Sequence, residues 1–387
     1  MKKFRFIDLF SGIGAFHIAL ENLGGECVFA ADIDKWAVET YKDNFNMNSM
    51  CDVSKVEAKD IPIHDVLCAG FPCQPFSQGG YMHGFSDTRG TLFFEIERIL
   101  KYHKTKYIIL ENVKHLVNHD KGRTFAVIKE HLNDLGYVLT EKPLILSPHQ
   151  FGIPQKRERI FILGVHKSIL KDKDFLDIEY PEAPEKPCSV YDILDTKVED
   201  KYSISEYENK VFSAWDEFRE IVGCTSTPVW FDEFGQTYDI DDLVDWKQNY
   251  ILSSRQLYEK HKDKIDSWSE KWDVKNFKLR DRKFEWQAGM DADSVFDCVI
   301  QLRQSGVRCK RPNYFPTLVA MVQTPIIGKL RRRLTPREAA RLQSFPETYK
   351  LNSNDQKAFK QLGNSANVEI ITYVAKQLFA NTGNEVL

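Results

Sequence analysis

Between residues 4 and 165, short apolar runs alternate with stretches of helical period, and nothing else in the chain narrows its fold as much. Runs at 4–10, 27–33, 65–69, 107–110 and 159–165 read as buried strands. Segments 15–23, 35–44, 92–102 and 124–135 read as helices, the first stopped by Gly24-Gly25. Strands separated by helices require crossover connections. The expected architecture is therefore α/β, a doubly wound, mostly parallel sheet of Rossmann-like type, with ligands at the carboxyl ends of the strands. The alternation stops after Val165. Residues 166–200 are rich in Lys, Asp and Pro, as a linker would be. Residues 199–245 then carry thirteen Asp/Glu against three Lys/Arg, and six of the seven tryptophans lie between 215 and 286. This predicts a second, smaller module with its own aromatic core and an acidic outer surface. From Arg303 to Leu334 the balance reverses, with eight Lys/Arg and no acid. Thr335 and Pro336 then read as N-cap and first residue of a helix, and residues 368–379 as a closing helix. At 387 residues two domains are expected: 1–180 with 328–387, and 181–327.

Composition excludes several classes. Hydrophobic residues at 42% and charged residues at 28% fit neither a disordered nor a fibrous chain. No apolar run approaches the roughly 18 residues of a membrane span. Arg5 and Asp8 interrupt the apolar stretch after Met1-Lys2-Lys3, which favours a strand over an export signal. The eight cysteines are scattered without a C-x-x-C pair, arguing against a disulfide framework or zinc site and for a reducing compartment. With a net charge of −3, any nucleic-acid partner must meet a local basic patch.

Four motifs carry chemistry. Phe10-Ser11-Gly12-Ile13-Gly14 lies between the first strand and first helix, where glycines admit a ligand close to the backbone. Asp32, 20 residues after Gly12, is placed to accept hydrogen bonds from ribose hydroxyls. The third glycine of a dinucleotide fingerprint is missing, and an ordinary strand–helix turn is an equal reading. Gly70-Phe71-Pro72-Cys73-Gln74-Pro75-Phe76-Ser77 presents a cysteine on a loop, as a nucleophile needs, although a structural thiol is the usual fate of a lone cysteine. Glu111-Asn112-Val113 ends the 107–110 strand, putting an acid on the cleft that Cys73 shares. Gln155-Lys156-Arg157-Glu158-Arg159 sets two arginines on one face of an extended chain, able to grip a phosphate or base carbonyl.

Taken in series, these motifs resemble the DNA cytosine-C5 methyltransferases of bacterial restriction–modification systems. The resemblance covers residues 4–165 and resumes at 313–380. It includes Asp87-Thr88-Arg89-Gly90-Thr91-Leu92, Leu334-Thr335-Pro336-Arg337-Glu338-Ala339-Ala340-Arg341-Leu342 and Gln361-Leu362-Gly363-Asn364-Ser365. It implies an S-adenosylmethionine-dependent methyltransferase fold and S-adenosylhomocysteine as product. Cys73 becomes the nucleophile that adds to cytosine C6, Glu111 the acid at N3, and Arg157 and Arg159 the holders of a base flipped out of the duplex. The cofactor is expected on Phe10, Gly12, Gly14, Asp32, Ile33, Asp52, Pro72, Leu92, Asn364 and Ser365. Asp32 stands where glutamate is commoner, and Ile33 where a larger side chain often covers the adenine. Residues 74–80 would close over the base. DNA contacts are expected from Gln74, Ser77, Gly79, Arg89, Arg303, Gln304, Arg308 and Lys310. Phosphate contact is as good a reading as base readout for the last four. The expected partner is duplex DNA, with a companion restriction endonuclease, no metal and no membrane, in a monomer of the bacterial cytoplasm. A transfer-RNA substrate, a non-catalytic DNA binder and a dinucleotide oxidoreductase remain as alternatives. The last leaves Cys73 and Glu111 without a role.

Overall fold

The computed structural model describes residues 4–71, 92–170, 173–186, 188–290, 292–318 and 323–383. The chain divides into two compact units. One comprises residues 1–188, 317–320 and 339–387, the other 189–316 and 321–338. The first break thus falls at 188/189 where composition suggests 180/181, and the chain returns in two steps on either side of 328.

In the first unit, β1 (Arg5–Leu9), β2 (Glu26–Ala31), β3 (Val66–Gly70), β4 (Tyr107–Val113), β5 (Tyr137–Leu139), β6 (Leu144–Leu146) and, after the two-residue β7 (Gln155–Lys156), β8 (Arg159–His166) are the main strands. All but β7 join one sheet of order β2-β1-β3-β4-β8-β5, with β6 also on β8. The β1–β2, β1–β3 and β3–β4 pairs are parallel, as the alternation predicts. β8 departs from it and runs antiparallel to β4, β5 and β6. No α-helix separates β6 from β8, so the chain turns back without a crossover and its direction reverses.

The helices are α1 (Ala15–Asn22), α2 (Lys35–Phe45), α3 (Leu92–His103), α4 (Arg123–Asp134), α5 (Glu206–Val222), α6 (Asp245–Trp272), α7 (Pro336–Leu342), α8 (Asp355–Asn364) and α9 (Val368–Ala380). One sheet face packs Ile7, Leu9, Leu67, Ile108 and Leu110 against Phe93, Ile96 and Ile99 of α3 and Ile128 and Leu132 of α4. On the other face Phe6 meets His17 of α1 edge-on at 5.6 Å, and Phe4 and Tyr107 meet Phe379 of α9 at 5.2 and 5.0 Å. Helices on both faces make the sheet doubly wound. They also return the C-terminal helix to the side of the first strand. Asp34 caps α2 by accepting from the N–H groups of Trp36 and Ala37. Thr335 and Glu338 cap α7 reciprocally, the Glu338 N–H donating to Thr335 Oγ1 at 3.2 Å and the Thr335 N–H to Glu338 Oε2 at 2.8 Å.

The second unit carries a mixed sheet. Its strands β9 (Val229–Trp230), β10 (Lys283–Gln287), β11 (Val299–Arg303) and β12 (Gly306–Lys310) are joined by the short strands Ile326–Ile327 and Arg332–Arg333. Phe284, Trp286, Ile300, Val307 and Cys309 pack against Phe212, Trp215 and Phe218 of α5 and Ile265 and Trp268 of α6. Trp215 stacks on Phe284 at 4.9 Å. The aromatic core expected here is real for Trp215, Trp268 and Trp286, which are buried. Trp230 and Trp272 are half-buried, and Trp246 is 56% exposed. Within the acidic stretch most carboxylates are exposed or half-buried. Glu233 is buried, its Oε2 3.4 Å from Arg255.

Candidate active site

The turn after β1 is shaped by backbone that only special residues tolerate. Phe10, Gly12 and Gly14 all have positive φ, at 55°, 53° and 83°. For Phe10 this is a strained conformation, held by packing against the core. A Cβ at Gly14 would fall 2.3 Å from the Phe45 ring. One at Gly12 would meet nothing within 4 Å among the described residues, so the turn is open there on their side. The Gly12 N–H donates to Asp32 Oδ2 and the Asp34 N–H to Oδ1, both at 2.8 Å. Asp32 lies one residue beyond β2, and burial raises its pKa against the lowering effect of these two amides. Its carboxylate is thus fixed with lone pairs to spare, as a ribose diol requires. Ile33 beside it is 74% exposed. The open turn, the anchored acid and the exposed apolar side chain fit an adenosine-bearing cofactor.

The other expected cofactor residues are more varied. Asp52 accepts from Ser54 Oγ at 2.7 Å and sits 3.3 Å from Lys55. Leu92 is the half-buried first residue of α3. Asn364 is exposed at the end of α8, whereas Ser365 is buried and its hydroxyl donates to the Ala366 carbonyl. The segment containing both is tied to the cofactor half. Gln361 donates to the Trp36 carbonyl at 2.8 Å, and the Tyr349 hydroxyl donates to the carbonyl of Ile13.

Glu111 lies inside β4, two residues before its end, and pairs in register with Gly70 at the end of β3. A Cβ on Gly70 would lie 3.7 Å from Glu111 Oε2, so the acid sits over the strand that leads to Cys73. Glu111 is buried, and Arg159 Nε lies 3.0 Å from its Oε1. Burial raises the carboxyl's pKa, opposed first by Arg159 and then by Arg157. Register places both partners, since Glu111 is opposite Phe161 on β8 and Arg159 is two residues back on the same face.

Arg157 does not do what its spacing suggests. It is 3% exposed, and its guanidinium donates to the carbonyls of Leu318, Gly363 and Ser365 at 2.7, 2.8 and 2.9 Å. Burial and the charge of Arg159 lower its pKa to about 9, still charged at neutral pH. Arg157 therefore braces the segment that carries Asn364 and Ser365. It is not a free grip on a nucleotide, because two-residue spacing in a strand does not reveal which face the rest of the fold covers. Sequence reasoning also passed over two polar braces. Asn112 Nδ2 donates to the Phe71 carbonyl at 2.9 Å, tying the exit of β3 to β4. Ser147 Oγ accepts the Arg157 N–H at 2.9 Å. Asn112 was detectable as the middle of Glu-Asn-Val; Ser147 carried no signal.

Pro72, Cys73, Gln74, Ser77, Gly79, Arg89 and the loop 74–80 lie outside the described residues. Arg303 and Gln304 sit at the β11–β12 turn, with Arg308 and Lys310 on β12. Arg308 Nε is 2.6 Å from Glu285 Oε2. These four belong to the second unit.

A family model described as C-5 cytosine-specific DNA methylase matches residues 4–380. The Type II methyltransferase M.HpaII of Haemophilus parainfluenzae is 36% identical, over 99% of this chain and 91% of that protein. M.AluI of Cellulosimicrobium cellulans is 31% identical, over 97% and 92%. The S. pombe Dnmt2 methyltransferase structure superposes with a TM-score of 0.55 at 20% identity, covering 98% of this chain and 99% of that one, a likeness of fold.

Proposed function

The chain belongs to the C-5 cytosine-specific DNA methylase family and is a DNA cytosine-5-methyltransferase, and from that premise we propose how its residues work. The substrate is a cytosine within a specific sequence of duplex DNA. Inside the duplex both faces of the C5–C6 bond are stacked, so the base must be extruded before a side chain reaches C6. Cys73 is the nucleophile. Its thiolate forms an S–C6 bond, and the electrons of the C5–C6 double bond move to make C5 nucleophilic. Glu111 hands a proton to, or shares one with, N3 as charge develops there. Burial shifts its pKa upward, the direction a proton donor needs. Arg159 holds the acid in place and limits the rise of its pKa. After methylation, water takes up the C5 proton, the C–H electrons restore the C5–C6 double bond, the S–C6 bond breaks to release the thiolate, and N3 returns its proton to Glu111.

S-Adenosylmethionine, which supplies an electrophilic methyl group when bound, would be held by the turn of Phe10, Gly12 and Gly14, by Asp32 on the ribose and by Ile33 against the adenine. Asp52, Pro72, Leu92, Asn364 and Ser365 would complete that pocket. The turn's open approach at Gly12 supports this reading. The Type II names of the relatives support a restriction–modification role, with a cognate endonuclease as the companion activity. The second unit is proposed as the target-recognition domain.

The observation that carries this reading is the buried Glu111–Arg159 pair set against the exit of β3. Bisulfite sequencing of DNA from cells expressing the protein tests it. Protected cytosines should occur at one short sequence. Folded protein that leaves every sequence convertible would overturn the reading.

A further inference from the structure

One face of the sheet of the second unit packs into the aromatic core, and the opposite face is apolar only at its Val299–Ile327 end, both of them buried. Phe284, Trp286, Ile300, Val307 and Cys309 all enter the core. Strand alternation then puts Glu285 and Gln287 of β10, Arg308 of β12 and Gln301 of β11 together on the opposite face. Register brings Gln301, Arg308 and Glu285 into one row, since Gln301 is opposite Arg308 and Arg308 is beside Glu285, and Gln287 lies two residues along β10 on the same face.

Within that row Glu285 is the hub. One oxygen accepts from Arg308 Nε at 2.6 Å, and the other accepts from the Gln287 amide. The side chains of Arg308 and Glu285 are each about one-fifth exposed, and Gln287 is exposed. A surface arginine ordinarily samples many rotamers. Here the Nε–H bond fixes the plane of the guanidinium while its two terminal NH2 groups have no hydrogen-bond partner among the described residues. Gln287 is held by its amide nitrogen, which leaves its carbonyl oxygen as an acceptor. The row therefore presents a fixed fork of donors with an acceptor and a second amide, Gln301, on either side.

We infer that Glu285, Arg308, Gln287 and Gln301 form a base-reading row, in which Arg308, oriented by Glu285, reads a guanine of the target sequence. This rests on the proposed function and adds the residues that set its specificity. Arginine bridging O6 and N7 of guanine is the commonest specific contact in the major groove, and it needs both terminal nitrogens in one plane. A phosphate can take the same fork, but the Glu285 carboxylate beside the guanidinium would weaken attraction to a phosphate, which favours a base edge. Glu285 is thus a positioning residue. It would also repel the edge of any base whose groove face offers acceptors close to its own oxygens.

The test uses the full-length protein and a library of randomised DNA duplexes, read by bisulfite sequencing, for wild type, Arg308→Ala, Arg308→Lys and Glu285→Gln. Thermal melts confirm that each variant is folded. The inference predicts that Arg308→Ala lowers the preference for guanine at one position by roughly 10–100-fold while preferences elsewhere persist. Arg308→Lys, which keeps the charge without the fork, should lose most of that preference too. Glu285→Gln should blur the same position less. A uniform fall in methylation with an unchanged sequence preference, and a salt dependence reduced by one phosphate contact, would mean that Arg308 meets only the backbone and would overturn the inference. Unchanged methylation and preference would mean a purely structural ion pair and would overturn it as well. Absence of methylation by the wild-type protein would instead defeat the proposed function. Should Arg308→Ala fail to fold, Arg308→Lys and Glu285→Gln decide.

Discussion

Two buried Glu–Arg pairs, one in each unit, look alike by distance and differ in what they leave over. In the second unit Glu338 is 0% exposed and accepts from Arg332 at 2.7 and 2.9 Å, from the Asp195 N–H at 2.8 Å and from the Thr335 N–H at 2.8 Å. Every oxygen is in use. In the first unit Glu111 meets Arg159 as an ion pair at 3.0 Å and has no hydrogen-bond partner among the described residues. A carboxylate with roughly four lone-pair sites and one partner is poorly satisfied for a structural role. Burial then favours its neutral form. The saturated pair holds a helix start in place; the unsaturated one leaves lone pairs that the proposed mechanism turns toward the substrate base.

The contrast is easiest to break at its chemical end. Glu111→Ala should lower the methylation rate by roughly 10²–10⁴-fold with little change in melting temperature. A rate within a few-fold of wild type would remove Glu111 from the mechanism. The matching change in the other pair, Glu338→Ala, strands a buried Arg332. It should cost roughly 3–5 kcal/mol of stability in urea titrations while activity per folded molecule persists. If Glu338→Ala instead lost activity at full stability, the distinction between the pairs would fail.

A subtler test works through pH. Glu111 has a pKa raised above 4.5 by burial, and Arg159 is the largest influence pulling it back. The proposed mechanism uses the neutral acid, so the rate should fall as pH rises through the folded pKa. Arg159→Gln removes the opposing charge, and the falling limb should move to higher pH, on a lower plateau. A limb that stays put or moves down would show that Glu111 does not set it.

The smallest expected effect concerns a third buried carboxyl. Asp8 of β1 is 0% exposed, and among the described residues neither of its carboxylate oxygens has a hydrogen-bond partner of ordinary geometry, although the His17 backbone is near enough to pull its pKa down. Burial, followed by the charge of Asp32, raises its pKa well above 3.8. Between the unfolded and folded values the native state binds the proton that the unfolded chain has released, so stability declines as pH rises across that window. Asp8→Asn removes this dependence. The stability of Asp8→Asn relative to wild type should therefore rise with pH from about 4 upward, by at most about 1.4 kcal/mol per pH unit. A constant difference would contradict the assignment.

The fold was legible where the chain repeats a simple period. The strands and helices from β1 to β4 follow from apolar runs and helical spacing, and the start of α7 follows from Thr335-Pro336. β5 and β6, at three residues each, are too short to show alternation, and with them went the reversal of β8. At the site, Glu111 and Asp32 could be placed because the ends of parallel strands converge on one edge. Arg157 could not, because its partners are backbone carbonyls more than 150 residues away, and no local pattern encodes those. The exposure of Trp246 was hidden for a similar reason. Composition counts aromatic residues but does not say which of them a helix turns outward.

The most direct test of the central claim replaces the target cytosine in a duplex with its 5-fluoro analogue and adds protein and S-adenosylmethionine. Fluorine cannot leave C5 as a proton does, so elimination stalls and the protein–DNA bond persists. The account predicts a denaturation-resistant complex whose bonded residue, found by proteolysis and mass spectrometry, is Cys73. A bond to any other side chain, or active enzyme that never forms one, would contradict it.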